Sequence, residues 1–224
     1  MGKKINPLSF RLSFNQNHRS VWFEQSNYSE NLREDEKIHN CIAIFAKHLK
    51  SYSKSAAIVR IEIEKRVSSI EVQLYIGLPH SLIEKQSEDQ EIEQFNNDVE
   101  NMLLPNMLDC VTRHPIIAIE KIAKPYKEPN ILAEYISIQL KERIPLNKAV
   151  EKALELAEQA GVKGIKINVK GRIGGVERAR QESTRQGRLP LQTIQAKFDY
   201  CYYVVQTIYG VLGIKIWIFV ENEE

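Results

Sequence analysis

Cysteine is scarce in this sequence, and what there is stands apart. Cys41, Cys110 and Cys201 are the only three in 224 residues. An odd number at distant positions argues against a disulfide framework and suits a reducing compartment. Long apolar runs are missing too. The longest, at residues 211–220, is interrupted by Gly213 and Lys215, far short of the roughly 20 residues that cross a bilayer. No membrane span is expected. The opening stretch "MGKKINPLSFRL" has no apolar core with a cleavage site and lacks the length and serine content of a transit sequence. The chain is therefore expected to act in the compartment where it is made.

Catalytic constellations are also absent. There is no Gly-rich phosphate loop with its lysine, no nucleophile elbow, no paired-histidine metal motif and no Cys-x-x-Cys pair. His18, His39, His48, His80 and His114 are isolated from one another in sequence, so neither a metal nor a cofactor is expected. "GRIGG" has the look of a nucleotide-binding turn. That chemistry needs glycines that leave a strand and open a helix, whose terminal amides receive the phosphate. Here the residues after Gly175 continue as an arginine-rich ribbon, which disfavours a nucleotide-using enzyme.

What is present is the composition of a globular protein, 43% hydrophobic and 27% charged, with enough chain for one large domain or two small ones. The net charge is only +2, but it is unevenly spread. Residues 1–20 carry Lys3, Lys4, Arg11 and Arg19 and no acid; residues 84–109 carry eight acids against Lys85; residues 161–200 carry nine basic residues against three acids. Two basic regions flank an acidic middle. Beneath the acids, Ile92, Phe95, Val99, Met102 and Leu103 recur at helical spacing, so that stretch is expected to be a helix with a solvated acidic face.

Periodicity gives the remaining elements. Ile38, Cys41, Ile42, Phe45 and Leu49 mark one face of a helix that opens near Ser29. Val59, Ile61 and Ile63, then Ile70, Val72, Leu74 and Ile76, alternate with polar residues and predict a hairpin. "PIIAIEKIA" supplies a third strand, and "KPYKEPN" is a turn-rich joint. Beyond it, Leu132, Tyr135, Ile136 and Leu140 make one helical stripe. Leu146, Val150, Ala153 and Ala157 make another, opened near Pro145 and stopped at Gly161. "GIKINVKGRI", a hairpin turn at Gly174-Gly175, "TIQAKFDY" and "GIKIWIFV" complete an antiparallel sheet. The class is α+β.

The stretch "GRIGGVERARQESTRQGRLP", residues 171–190, holds Arg172, Arg178, Arg180, Arg185 and Arg188 against only Glu177 and Glu182. Local enrichment inside a nearly neutral molecule asks for a partner of opposite charge. A guanidinium fork grips two phosphate oxygens and stacks on a base, and glycines let a backbone approach closely. Arg178 and Arg180 are expected to share a strand face, with Arg172, Arg185, Arg188 and Lys197 extending it. The residues themselves reach as far as nucleic-acid binding, and a free-standing RNA-binding regulator remains the alternative.

"MGKKINPLSFRL", "GRIGGVERAR", "RQGRLPLQTIQAKFDY" and "YGVLGIKIWIF" resemble, in order, the signature segments of small-subunit ribosomal protein number three. "NYSENLREDEKI", "EPNILAEYISIQL" and "LELAEQAGVKGI" are most similar to its plastid-encoded versions. The resemblance implies a basic extension at 1–16, a type II KH-like domain at 17–124 (a helix on a small mixed sheet), and a carboxy-terminal α/β domain at 125–224 with two helices on an antiparallel sheet. It implies a structural, non-enzymatic protein of the plastid ribosome. Its partners would be small-subunit rRNA in the subunit head, neighbouring head proteins and incoming mRNA. Lys3, Lys4, Arg11, Arg172, Arg178, Arg180, Arg185, Arg188 and Lys197 are then the expected rRNA contacts, and Arg143, Lys148 and Lys152 the expected residues along the mRNA channel.

The departures from that pattern matter. A KH domain clamps single-stranded backbone with a Gly-x-x-Gly loop; the aligned place here is Glu84-Lys85-Gln86-Ser87, so the domain is expected to be scaffold. Ser9 and Ser13 stand where the family usually has glycine, Ser183 where it has tryptophan, and Gln195 where it has arginine. In the helix that faces mRNA, the three usual basic positions are Asn147, Lys148 and Glu151.

Overall fold

Stretches of alternating apolar residues build two separate four-stranded sheets. The computed structural model describes residues 4–52, 57–77 and 114–220. It divides into two compact units: Arg19–Ala123, and Met1–His18 together with Lys124–Glu224.

In the Arg19–Ala123 unit, strand β1 (Ser20–Val21) is followed by helix α1 (Tyr28–Tyr52) and strands β2 (Ala57–Lys65), β3 (Ser69–Gly77) and β4 (His114–Lys121). The sheet order is β1-β2-β3-β4, and β2 and β3 form the antiparallel hairpin that the alternation predicts, while β1 and β4 add in parallel. Ile38 and Ile42 of α1 pack on Ile63, Ile70, Val72 and Leu74. The helix opens one residue earlier than expected, at Tyr28, with the Asn27 carbonyl accepting from the Glu30 and Asn31 N–H groups. Asp35 and Glu34 in its first turns hold the buried Lys65 ammonium at 2.8 and 3.3 Å, and Asp35 also accepts from the Trp22 indole at 2.9 Å. The acidic helix expected at 84–109 and the Glu84–Ser87 loop lie outside the described residues.

The other unit contains α2 (Pro129–Lys141), α3 (Leu146–Gln159), β5 (Gly164–Gly171), β6 (Arg180–Gly187), β7 (Lys197–Thr207) and β8 (Gly210–Val220). Its sheet is antiparallel throughout, in the order β6-β5-β8-β7. Both helices cover one face: Leu132, Ile136, Val150, Ala153 and Ala157 pack on Ile165, Ile167, Val169, Ile214, Ile216 and Ile218. Gly161, at φ 81°, stops α3; its N–H donates to Glu158 and that of Val162 to Ala157, the Schellman closure that satisfies two of the helix's terminal carbonyls. Two expectations need correction. Gly174-Gly175 is not a two-residue hairpin turn, because residues 172–179 form a longer connection with a 3-10 turn at Ile173–Gly175. The next strand begins at Lys197 rather than at Thr193, since residues 191–196 turn back onto the amino-terminal segment.

Arg11 holds that turn. Its side chain is 1% exposed and donates to four carbonyls: Ala196 at 2.8 Å, Pro7 at 3.1 Å, Leu191 at 3.0 Å and Thr193 at 2.8 Å. The guanidinium also lies 4.6 Å from the Phe198 ring centroid. The amino-terminal stretch belongs to this compact unit.

Candidate RNA interface

A tight crossing of two chain segments shapes the principal site. Gly187 has φ 73°, a Cβ there would run into the Lys163 carbonyl, and one on Gly164 would run into the Arg188 carbonyl. Only glycine permits this approach, and the Arg188 N–H donates to the Lys163 carbonyl across it at 3.2 Å. The crossing brings Lys163 and Arg188 to one cavity of about 900 Å³, which is also lined by Lys124, Lys127 and Lys197. Five cations line it, and among the described residues no carboxylate does. A concave surface of one sign concentrates polyanions, and lysine and arginine there suit phosphate.

The sheet face opposite the helices is a second basic surface. Strand register puts Arg185, Lys166, Trp217 and Tyr200 in one row and Ser183, Asn168, Lys215 and Tyr202 in the next. Tyr200 and Trp217 meet with ring centroids 5.3 Å apart, and burial pushes the Tyr200 phenol pKa up, so its hydroxyl stays neutral. Asn168 Oδ1 is buried without a hydrogen-bond partner among the described residues.

The expected ribbon is thus distributed. Arg188 and Lys197 line the cleft, Arg185 lies on the open sheet face, and Arg180 pairs with Gly171 at the far end of β6. Arg178 lies in the connection before β6 rather than on a strand face shared with Arg180, which corrects that expectation. Arg172 donates to the Val176 carbonyl at 3.0 Å and lines a groove of about 570 Å³ with Arg143 and Asn147. Lys148 and Lys152 are exposed on α3, as are Asn147 and Glu151. Lys4 is exposed, and Lys3 lies outside the described residues. Arg11 is a correction: four of its five N–H donors serve its own chain, so it acts as a structural core cation rather than a phosphate contact. The glycines also serve the chain itself. Gly171 sits against Leu212 and Gly175 against Tyr209, where a Cβ would be tight.

Sequence reasoning missed Lys124, Lys127 and Lys163, which only folding brings to Arg188. It also passed over Lys166, Lys215, Tyr202 and Trp217, whose alternation with buried isoleucines in "GIKINVKG" and "GIKIWIF" carried the signal. Among the described residues no group of histidine, cysteine or acidic side chains is arranged to hold a metal, and no helix is long and apolar enough to cross a membrane.

Comparison with known proteins identifies the family. Residues 136–218 match the family model described as ribosomal protein S3, C-terminal domain. The chain is 55% identical over 225 residues to small ribosomal subunit protein uS3c of Cycas taitungensis, covering 100% of both. It is 55% identical to that of Picea abies over 223 residues, covering 99% of this chain and 100% of the relative. Against the uS3c of Ginkgo biloba the identity is 52% over 225 residues, covering 100% of both.

Proposed function

The chain belongs to the uS3c family of small ribosomal subunit proteins, and on that premise we propose that it grips small-subunit rRNA by its phosphates through the cleft of Lys124, Lys127, Lys163, Arg188 and Lys197. As a member it is a structural constituent of the chloroplast small ribosomal subunit and not an enzyme. The observation that carries the phosphate reading is the convergence of five cations on one concave surface that, among the described residues, no carboxylate lines. Arg185 on the open face and Arg172, Arg178 and Arg180 around the β5–β6 connection extend the contact, and Lys4 adds to it at the amino terminus. Lys148 and Lys152, four apart on one exposed face of α3, hold a phosphate track for mRNA in the subunit head, with Arg143 at the preceding turn. Glu151 between them cancels part of that field. The Glu84–Ser87 loop lacks the glycines of an RNA clamp, so the KH-like domain serves as scaffold beside neighbouring head proteins.

Co-sedimentation tests the reading. The wild-type chain is expected to remain on small subunits through a moderate salt wash at one copy per subunit. A Lys124→Ala, Lys127→Ala, Lys163→Ala variant is expected to be washed off. Equal retention of the two would remove the cleft from the account, and substoichiometric binding by the wild type would favour a free-standing regulator.

A further inference from the structure

Resting on that RNA-binding reading, we propose that the helix-free face of the β5–β8 sheet is a base-stacking platform, on which an unpaired RNA base lies against Tyr202 and presents a donor to Asn168. Three observations meet there. The first is charge: among β5–β8 side chains the face holds Arg185, Lys166, Lys170 and Lys215, while Glu182 and Asp199 pair with Val169 and Ile218 of the opposite, helix-covered face. The second is an aromatic surface flanked by cations. Tyr202 is 57% exposed, and the Lys215 and Lys166 ammonium groups stand 5.5 Å from the Tyr202 and Trp217 ring centroids. A base stacked on the ring therefore has a cation at hand for its own phosphate. The third is the orphan acceptor. Asn168 and Tyr202 line one cavity of about 660 Å³ with Lys170, Tyr200 and Lys215, and the buried Asn168 Oδ1 has no donor among the described residues. A base-edge N–H or amino group supplies one.

Sheet faces that carry aromatics recognise single-stranded RNA because every base has a π-face to stack, and adjacent cations take the backbone. An apolar protein partner fits less well. It would match Val204 and Val211, 48% and 58% exposed toward the hairpin end, but would leave the lysines and the Asn168 acceptor without partners.

The test uses the full chain carrying Trp22→Phe, so that Trp217, the other of its two tryptophans, is the sole reporter. It is titrated with a mixed-sequence single-stranded RNA oligonucleotide and with an abasic oligonucleotide of the same length. The intact RNA is expected to quench Trp217 and to bind more tightly than the abasic one. Tyr202→Ala is expected to weaken intact RNA about five- to hundredfold, the range for loss of one base stack, with abasic binding and the salt dependence unchanged. Tyr202→Phe, which keeps the ring, retains wild-type affinity. Equal binding of intact and abasic RNA with both variants silent overturns the platform and leaves the phosphate cleft standing. Failure to bind either RNA overturns the RNA reading itself, and the platform with it. Loss of retention on small subunits in Tyr202→Ala with RNA binding unchanged assigns the face to a protein and also overturns the proposal.

Discussion

Replacing Arg11 with alanine removes the donor group that ties the amino-terminal stretch to residues 191–198. Four carbonyls, those of Pro7, Leu191, Thr193 and Ala196, lose their partner, and Phe198, itself fully buried, loses the cation over its ring. A hydrogen bond to a charged group is worth about 1.5–3 kcal/mol when its partner stays buried, and less where water replaces it. Taking about 1 kcal/mol for each of the four gives a loss of roughly 4 kcal/mol, a large fraction of the roughly 5–15 kcal/mol that holds a typical domain together. For a unit of this size that corresponds to a drop of about 10–20 °C in melting temperature. Arg11→Lys restores a charge but not the planar fork, so it recovers only part of the loss. The assay is thermal unfolding followed by tryptophan fluorescence: Trp217 reports the unit of 1–18 and 124–224, and Trp22 the unit of 19–123, each read with the other changed to phenylalanine. The Trp217 transition is expected to fall and the Trp22 transition to stay. A Trp217 transition within about 2 °C of wild type, less than ~1 kcal/mol, would refute the structural role and return Arg11 to the candidate RNA contacts.

Three further outcomes follow from the same geometry. Ser13 holds φ 63°, a conformation that costs a residue with a Cβ energy that glycine avoids; Ser13→Gly is expected to raise stability by about 0.5–1 kcal/mol, read as a small rise in the Trp217 melting temperature. Gln195 lines the basic cleft, so Gln195→Arg adds a sixth cation and is expected to steepen the slope of log affinity against log salt by about 0.7–0.9, measured by titration of an rRNA fragment. On α3, ribosomes carrying Asn147→Arg with Glu151→Lys are expected to translate a message with a stable downstream hairpin better than the original, with unstructured messages unchanged. Equal performance on the hairpin, with Lys148→Ala also silent, would remove α3 from the mRNA path.

The fold was legible where local rules act alone. Strands β3, β5 and β8 alternate, so period alone identifies them and their buried faces, whereas β2 is interrupted by a register shift between Ile58 and Arg60, and Pro145 and Gly161 frame α3 because each has one favoured place at a helix end. The connection at 172–179 was not legible in the same way. A Gly-Gly pair signals a tight turn only when the flanking strands run up to it, and here they stop short at Gly171 and Arg180. The site was half legible. Arginine density marks a polyanion partner in any conformation, but sorting cations by surface depends on pairing register, which sends Arg185 to one face and Arg180 to the other. Arg11 is the sharpest case. In the sequence it is one more cation in a basic leader, and nothing local reveals that residues some 180 positions away supply three of its four carbonyl partners.

The salt dependence of rRNA binding tests the central claim most directly. With five phosphates neutralised in the cleft and the contacts of Arg185, Arg172, Arg178, Arg180 and Lys4 adding to them, the full chain is expected to show a log–log slope at least as steep as about −3.5 to −4.5, so that doubling salt weakens binding about tenfold or more. Lys124→Ala, Lys127→Ala and Lys163→Ala together are expected to flatten that slope by about 2. A nearly flat dependence in the wild type, or a slope unmoved by the triple variant, would contradict the account.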